Sequence, residues 1–269
     1  MSRLLSLAHL TVLDADPLAL IEAAAAGGFG AIGLRIVPPF VTETIVPVVG
    51  DADLQRRIKW RLRDTGIALL DIEAIWLKPE SRIEEIRLAL ETGAELGAKY
   101  VLTIAFDDDT ARLSDNFGKL CAAAHGCGLR TMLEFIPYSV LGTLAKAHDF
   151  IVAAAPADAG LLIDALHLSR SGGQPADIAA YDPVLFSYIH LCDAPKARPA
   201  AERNRDEARY NRLYPGEGEL WLDAFLDAFP PDTPVAVEAP HAAFAHLPAA
   251  ERARLAGNAT RRLLRGRRE

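Results

Sequence analysis

Short apolar runs alternate with longer stretches of helical periodicity along almost the whole chain. Strand-like runs lie at Leu4–Leu10, Ala31–Ile36, Ile67–Ile75, Tyr100–Ala105, Leu129–Phe135, Gly160–Asp164, Phe186–Cys192 and Val235–Glu238. Between them, PLALIEAAAAGG opens with Pro17 at a first helical turn and stops at Gly27–Gly28, the usual placement of the two residues. DADLQRRIKWRLRDTG carries Leu54, Ile58 and Leu62 on one face, and SRIEEIRLALETGAELG carries Ile83, Ile86 and Leu90, with Ser81 and Glu84 spaced as a capping box. Further helical stretches are ARLSDNFGKLCAAAHGCG, LGTLAKAHDFIVAAA, PADIAAY, ELWLDAFLDAF and PAAERARLAGNATRRLLRG. Eight such strand–helix units within 269 residues predict a single-domain (β/α)8 TIM barrel spanning 1–269. A doubly wound sheet fits less well, because no Gly-rich phosphate loop follows the first run.

In a barrel, strand residues alternate between the interior and the helix-facing side, and active sites gather at the C-terminal strand ends. By this parity Leu133 faces the helices and Glu134 the interior; Ile163 and Asp164, Ile189 and His190, Val237 and Glu238 repeat the relation. Consecutive strands thus deliver Glu134, Asp164, His190 and Glu238 to one rim. Converging carboxylates repel unless some stay protonated, and a divalent cation removes that cost. Oxygen donors with one imidazole suit Mn2+, Mg2+, Co2+ or Zn2+ without choosing among them. His9 ends the first run, Arg35 the second, and Glu73 with Trp76 the third, which makes them candidate substrate contacts; Arg35 can hold a carboxylate or phosphate through a bidentate pair. Asp193, shortly after His190, is placed to orient a ligand or to bind substrate. The segment Ala194–Gly218 is long for a βα loop and rich in charge, as active-site lids often are, and a short helix is expected within it. It offers Lys196, Arg198, Arg205, Arg209 and Arg212 for anionic contacts.

Composition narrows the function. A 51% hydrophobic, 24% charged chain is ordinary for a globular protein with a full core, and no apolar run is long enough for a membrane span. The net charge of -7 argues against a nucleic-acid binder, and the arginines of RRLLRGRRE are favoured at a helix C-terminus by the macrodipole. Cys121, Cys127 and Cys192 form no disulfide framework or zinc knuckle. The N-terminus places an acidic residue where a signal peptide needs its cleavage region. The expected setting is cytoplasmic and the expected partner a small-molecule substrate, with homo-oligomerisation left open.

The motifs LEF at Glu134, IDALH from Asp164 to His167, IHLCD from His190 to Asp193, VEAP at Glu238 and PGEG at Pro215–Gly218 resemble the xylose-isomerase-like TIM-barrel superfamily of sugar phosphate isomerases and epimerases. The resemblance covers essentially the whole chain. It implies that Glu134, Asp164, His190 and Glu238 bind one divalent metal ion, that Glu134 and Glu238 form the acid–base pair, and that His167 contacts substrate oxygen and assists proton transfer. Relatives often carry an arginine shortly after the metal-binding histidine; the spacing here does not identify which basic residue of 194–218 fills that role, and Arg198 stands among the candidate substrate contacts. The implied activity is isomerisation or epimerisation of a small sugar, keto-polyol or related hydroxy-carbonyl compound through a metal-stabilised enediolate. Dehydration of a keto-polyol acid such as a dehydroshikimate-like compound uses the same site. A non-catalytic sugar-binding barrel needs the ligand set to be vestigial. A nuclease of the endonuclease IV type needs more metal-binding histidines, and His125, His148, His241 and His246 do not fall at strand ends.

Overall fold

The computed structural model describes residues 3–39, 43, 45–156 and 158–266. Its strands β1 (Leu5–Leu7), β2 (Ala31–Arg35), β3 (Ala68–Leu77), β4 (Tyr100–Ala105), β5 (Arg130–Glu134), β6 (Ala159–Asp164), β7 (Ile189–Leu191) and β8 (Val235–Val237) pair in parallel, each with its sequence neighbours, and β8 pairs β1 to close the barrel. Around them lie α1 (Pro17–Gly27), α2 (Ala52–Thr65), α3 (Ile83–Leu96), α4 (Thr110–Gly126), α5 (Leu144–Ala154), α6 (Ala165–Arg170), α7 (Asn204–Tyr210), α8 (Leu222–Asp227) and α9 (Ala249–Gly266). This is the expected (β/α)8 barrel. No helix among the described residues is long and apolar enough to cross a membrane. The basic tail continues past Arg265 into 267–269, outside the described residues.

Alternating strand parity holds where it was read. Leu133, Ile163, Ile189, Leu191, Val235 and Val237 pack in the large apolar layer between strands and helices. Ala31, Leu102, Met132, Leu162, Tyr188 and Ala236 fill a smaller layer inside the barrel. Interior apolar side chains plug the barrel, and a pocket lined by charged side chains opens at the rim above them. Strand β3 departs from simple alternation. Register shifts on both of its edges insert extra residues, and Asp71 comes to pair with Gly33 and Glu73 with Arg35.

Local chemistry sets the helix ends. Asp16 accepts from the amides of Leu18 and Ala19 at 2.8 and 2.9 Å ahead of Pro17, and Gly28 closes α1 with φ of 69°. The expected capping box at Ser81 does not form. Ser81 Oγ instead accepts from Lys78 N and donates to Trp76 O, which ties down the end of β3 and moves the start of α3 to Ile83. PADIAAY winds as a 3-10 helix, Pro175–Ala180, and the first strand ends early because His9–Val12 form a 3-10 turn.

Helices α1 and α9 cross closely enough that a Cβ on Gly257 would strike the carbonyl oxygen of Gly27, whereas one on Gly118 of α4 meets nothing within 4 Å. Gly257→Ala is therefore expected to lower stability by roughly 1–3 kcal/mol, the usual cost of overpacking. Gly118→Ala should be neutral or stabilising by up to about 1 kcal/mol. Urea denaturation of the two variants checks this; equal midpoints would contradict the close crossing.

Candidate metal centre and its pocket

Glu134 ends β5, Asp164 ends β6, His190 lies in β7 and Glu238 directly follows β8. All are buried, and one donor atom from each lies within 4.8 Å of the others. His190 Nδ1 stands 3.5 Å from Glu238 Oε2, 3.6 Å from Glu134 Oε1 and 3.9 Å from Asp164 Oδ2. Neither ring nitrogen of His190 has a hydrogen-bond partner, nor does Glu134 Oε1. A fully buried imidazole and carboxylate are rarely left so unless something else satisfies them. A divalent cation fits: three oxygen donors and one nitrogen converge on it from adjoining strands, in the mixture that Mn2+, Mg2+, Co2+ or Zn2+ accepts.

The protein supplies its own partial compensation. Arg212, 1% exposed, sends Nη1 to Asp164 Oδ2 at 2.6 Å and Nη2 to Glu238 Oε2 at 2.7 Å, while its Nε donates to Ala208 O at 2.7 Å. Burial alone pushes carboxyls up, and it takes Glu134 to about 7. In Glu238 the same burial is outweighed by Arg212 and His190, which hold the carboxyl well below the usual range. Burial works against a charge on His190, yet Glu238 and Glu134 raise its pKa well above the ordinary imidazole value. His167, on α6, is pushed down to about 4 by burial and is neutral at pH 7. Its backbone N–H donates to Asp164 Oδ1 at 3.0 Å, so each oxygen of Asp164 has a partner.

Above this cluster opens a pocket whose walls include Glu134, Glu238, His167, Arg212, Arg35, Arg209, Trp76 and Tyr138. Trp76 stacks on Phe106 with ring centroids 4.4 Å apart, and Tyr138 meets His167 edge-on at 6.2 Å. Of the candidate substrate contacts, Arg35 and Trp76 line this pocket. The others do not. His9 is locked between backbones, with Nδ1 accepting from Arg35 N at 3.1 Å and Nε2 facing Ala15 O at 2.9 Å. Glu73 lies deeper, accepting from His9 N at 2.6 Å, because the irregular register of β3 turns it inward below the rim. Asp193 is consumed by the PGEG loop: it accepts from Ala194, Gly216, Gly218 and Leu220 amides at 2.9–3.0 Å. Gly218 is required there, since a Cβ would lie 2.5 Å from Asp193 Oδ1. Arg198 stands exposed on the loop, and Arg212, three residues before Pro215, is the arginine that reaches the cluster. Cys192 is buried beside Arg212, with its thiol pushed up by burial, and adds no thiolate donor.

Sequence reasoning did not single out Asp71, Tyr138 or Glu43. Asp71 is buried inside the barrel, where burial and then Glu73 raise its carboxyl well above the usual range.

Comparison with known proteins agrees with this fold. Residues 21–262 match the profile described as "Xylose isomerase-like TIM barrel". A 3-dehydroshikimate dehydratase of Pseudomonas aeruginosa is 30% identical over 138 residues, which are 49% of this chain but only 21% of that much longer protein. The structure of the IolI protein with a bound zinc atom superposes with a TM-score of 0.78 at 22% identity, covering 95% of this chain and 96% of that one. The 3-keto-D-glucoside 4-epimerase YcjR of E. coli gives 0.73 at 16% identity over 98% and 100%.

Two outcomes follow from these partners. Arg212→Met leaves buried carboxylates without their cation, so the metal-free variant should lose roughly 3–5 kcal/mol. Added Mn2+ should restore part of that loss, as read from denaturation with EDTA or with metal; no loss would show that Arg212 is dispensable. The second concerns His9, whose pKa is lowered to about 4 by burial, against about 6.5 unfolded. Between those values the unfolded chain binds a proton that the native chain does not, so stability should fall as pH drops from 6.5 toward 4, by roughly 3 kcal/mol for this residue. His9→Asn, which keeps an acceptor for Arg35 N, should make the decline shallower in urea titrations at pH 7.5 and 4.5.

Proposed function

The chain belongs to the xylose isomerase-like TIM-barrel family, and from that premise we propose that it is a divalent-metal-dependent isomerase or epimerase of a small sugar, keto-polyol or related hydroxy-carbonyl compound. The observation that carries this reading is the donor cluster of Glu134, Asp164, His190 and Glu238, with its glutamates also lining the pocket. The zinc in the IolI structure and the epimerase activity named for YcjR support it.

A divalent ion bound there supplies Lewis acidity to a substrate carbonyl. The protein's part is proton transfer and positioning. Glu134 from β5 and Glu238 from beside β8 approach the pocket with β6 and β7 between them, which allows them to face one substrate carbon from different sides. One carboxylate takes the proton next to the carbonyl and the other, in its acid form, returns a proton. Return to the opposite face epimerises that carbon; return to the neighbouring carbon interconverts aldose and ketose. Arg212 keeps Glu238 ionised, and neutral His167 is placed to hydrogen-bond a substrate hydroxyl. Trp76, Ile104 and Ile136 form an apolar wall that excludes water from the reacting carbons. The dehydratase relative favours a second reading on the same residues. In it, proton removal is followed by loss of the β-hydroxyl as water, with a protonated side chain donating to the leaving oxygen.

Elemental analysis of the purified chain, repeated after incubation with Mn2+, Co2+, Zn2+ and Mg2+, is expected to give about one equivalent of metal in the wild type and little in Asp164→Ala. Metal-loaded protein should then catalyse C–H exchange of ketoses or keto-acids in D2O, and Glu134→Gln should slow that exchange at least about 100-fold, the usual weight of a general acid or base. A wild type that takes up no divalent ion even after loading would remove the basis of this function.

A further inference from the structure

The pocket contains two arginines that this chemistry does not use. Arg35 ends β2 and Arg209 lies on α7, and both form part of the pocket wall. Each contributes to a single bridge. Glu43, from the segment between β2 and α2, gives Oε1 to Arg35 Nη1 at 2.6 Å and Oε2 to Arg209 Nη2 at 2.5 Å. The three side chains are only 5%, 13% and 9% exposed, so the bridge is largely withdrawn from water.

The arginines are held on fixed elements. Arg35 sits in the barrel wall, its backbone N–H donating to His9 Nδ1. Helix α7 is pinned two residues before Arg209, where Glu207 takes a two-pronged grip from Arg170 at 2.6 and 2.7 Å. The carboxylate between them comes from a connecting segment instead. Arg35 Nε, buried, has no hydrogen-bond partner at all. A guanidinium presents its donors as a planar fork matched to a carboxylate, and here that fork is only partly used.

We infer that Arg35 and Arg209 form a carboxylate subsite, occupied by Glu43 in the substrate-free protein, and that the substrate is a hydroxy-carbonyl acid whose carboxylate lies at the end remote from the reacting carbons. This rests on the metal-dependent reading above for the reacting end, since both ends share one pocket. The chemistry of the placeholder argues for a carboxylate over a phosphate: a planar monoanion with one oxygen to each arginine is what the site already holds. A phosphate monoester dianion would bring a further negative charge into a rim that already carries Glu134, Glu238 and Asp164.

The test uses compounds that differ only at C6. Binding of D-fructose, D-fructuronate and D-fructose 6-phosphate to the Mn2+-loaded full chain is measured by calorimetry, with D-tagatose, D-tagaturonate and D-tagatose 6-phosphate as a second series. At least one uronate should bind 10-fold or more tightly than its neutral sugar, and Arg35→Gln and Arg209→Gln should each abolish that preference, read as the ratio of uronate to neutral-sugar affinity within the same variant, which a general loss of stability does not change. Glu43→Gln, which removes the competing charge but keeps the side chain's size, should tighten uronate binding further. If neither uronate binds better than its neutral counterpart, or if the preference survives both arginine variants, the subsite is refuted. A stronger preference for the phosphate esters would refute the carboxylate assignment. Metal uptake and C–H exchange on neutral ketoses are read separately, so loss of those would count against the metal-dependent function and not against the arginine pair.

Discussion

Three carboxylates and an imidazole buried with donor atoms within 4.8 Å of one another set the terms for everything around them. Such a group is held together against both repulsion and desolvation, and the fold meets the cost by supplying charge from the connection between β7 and β8. Arg212 reaches Asp164 and Glu238 at once. It can do so because its segment is stitched to both neighbouring strand ends: Asp193 bridges to Leu213, and Asn211 to His241. Asp193 in turn gathers the amides of the PGEG loop, and Gly218 permits the approach. The long connection after β7 is therefore organised from its base by a carboxylate that lies outside the pocket lining.

Much of this was legible in the alternation of apolar and polar residues. Because strand side chains alternate with period two, an outward Leu133, Ile163, Ile189 or Val237 fixes its successor as inward, and that is enough to assemble the metal donors without knowing any distance. The same reasoning failed where the period broke. The shifted register of β3 places Glu73 below the rim and brings Asp71 into the interior, and no sequence pattern announces a bulge of that kind. His9 was misplaced for a related reason: the apolar run continues past Leu7, but the backbone has already turned into a 3-10 helix. Arg212 was one of several basic residues in a charged segment, and only the chain's return toward β8 separates it from Arg198.

The pocket has two chemically distinct ends. Toward the barrel interior lie the donors and the neutral His167, and there the His190 ring nitrogens and Glu134 Oε1 lack hydrogen-bond partners. Along the wall formed by β2 and α7 lie Arg35 and Arg209, which are partnered through a side chain of the connecting segment. Specificity in this architecture is carried by the βα connections, while the barrel strands hold the reactive groups.

The glycine-mediated crossing of α1 and α9 bears on how the chain reaches this state. Leu20, Ile21 and Ala24 of α1 are fully buried, and their helix packs most extensively against α9, more than 220 residues later in the sequence. The edges of β1 and β8 likewise have no mates until they meet each other. During synthesis, the side of the first helix that meets α9 must wait uncovered until residues near 257 have emerged, although α2 and β2 cover other parts of it earlier. Contacts of such long sequence separation are slow to form and leave partly folded chains prone to association. The closing contact is thus a late folding event, and a chain truncated before α9 exposes the side of α1, around Gly27, on which α9 would lie.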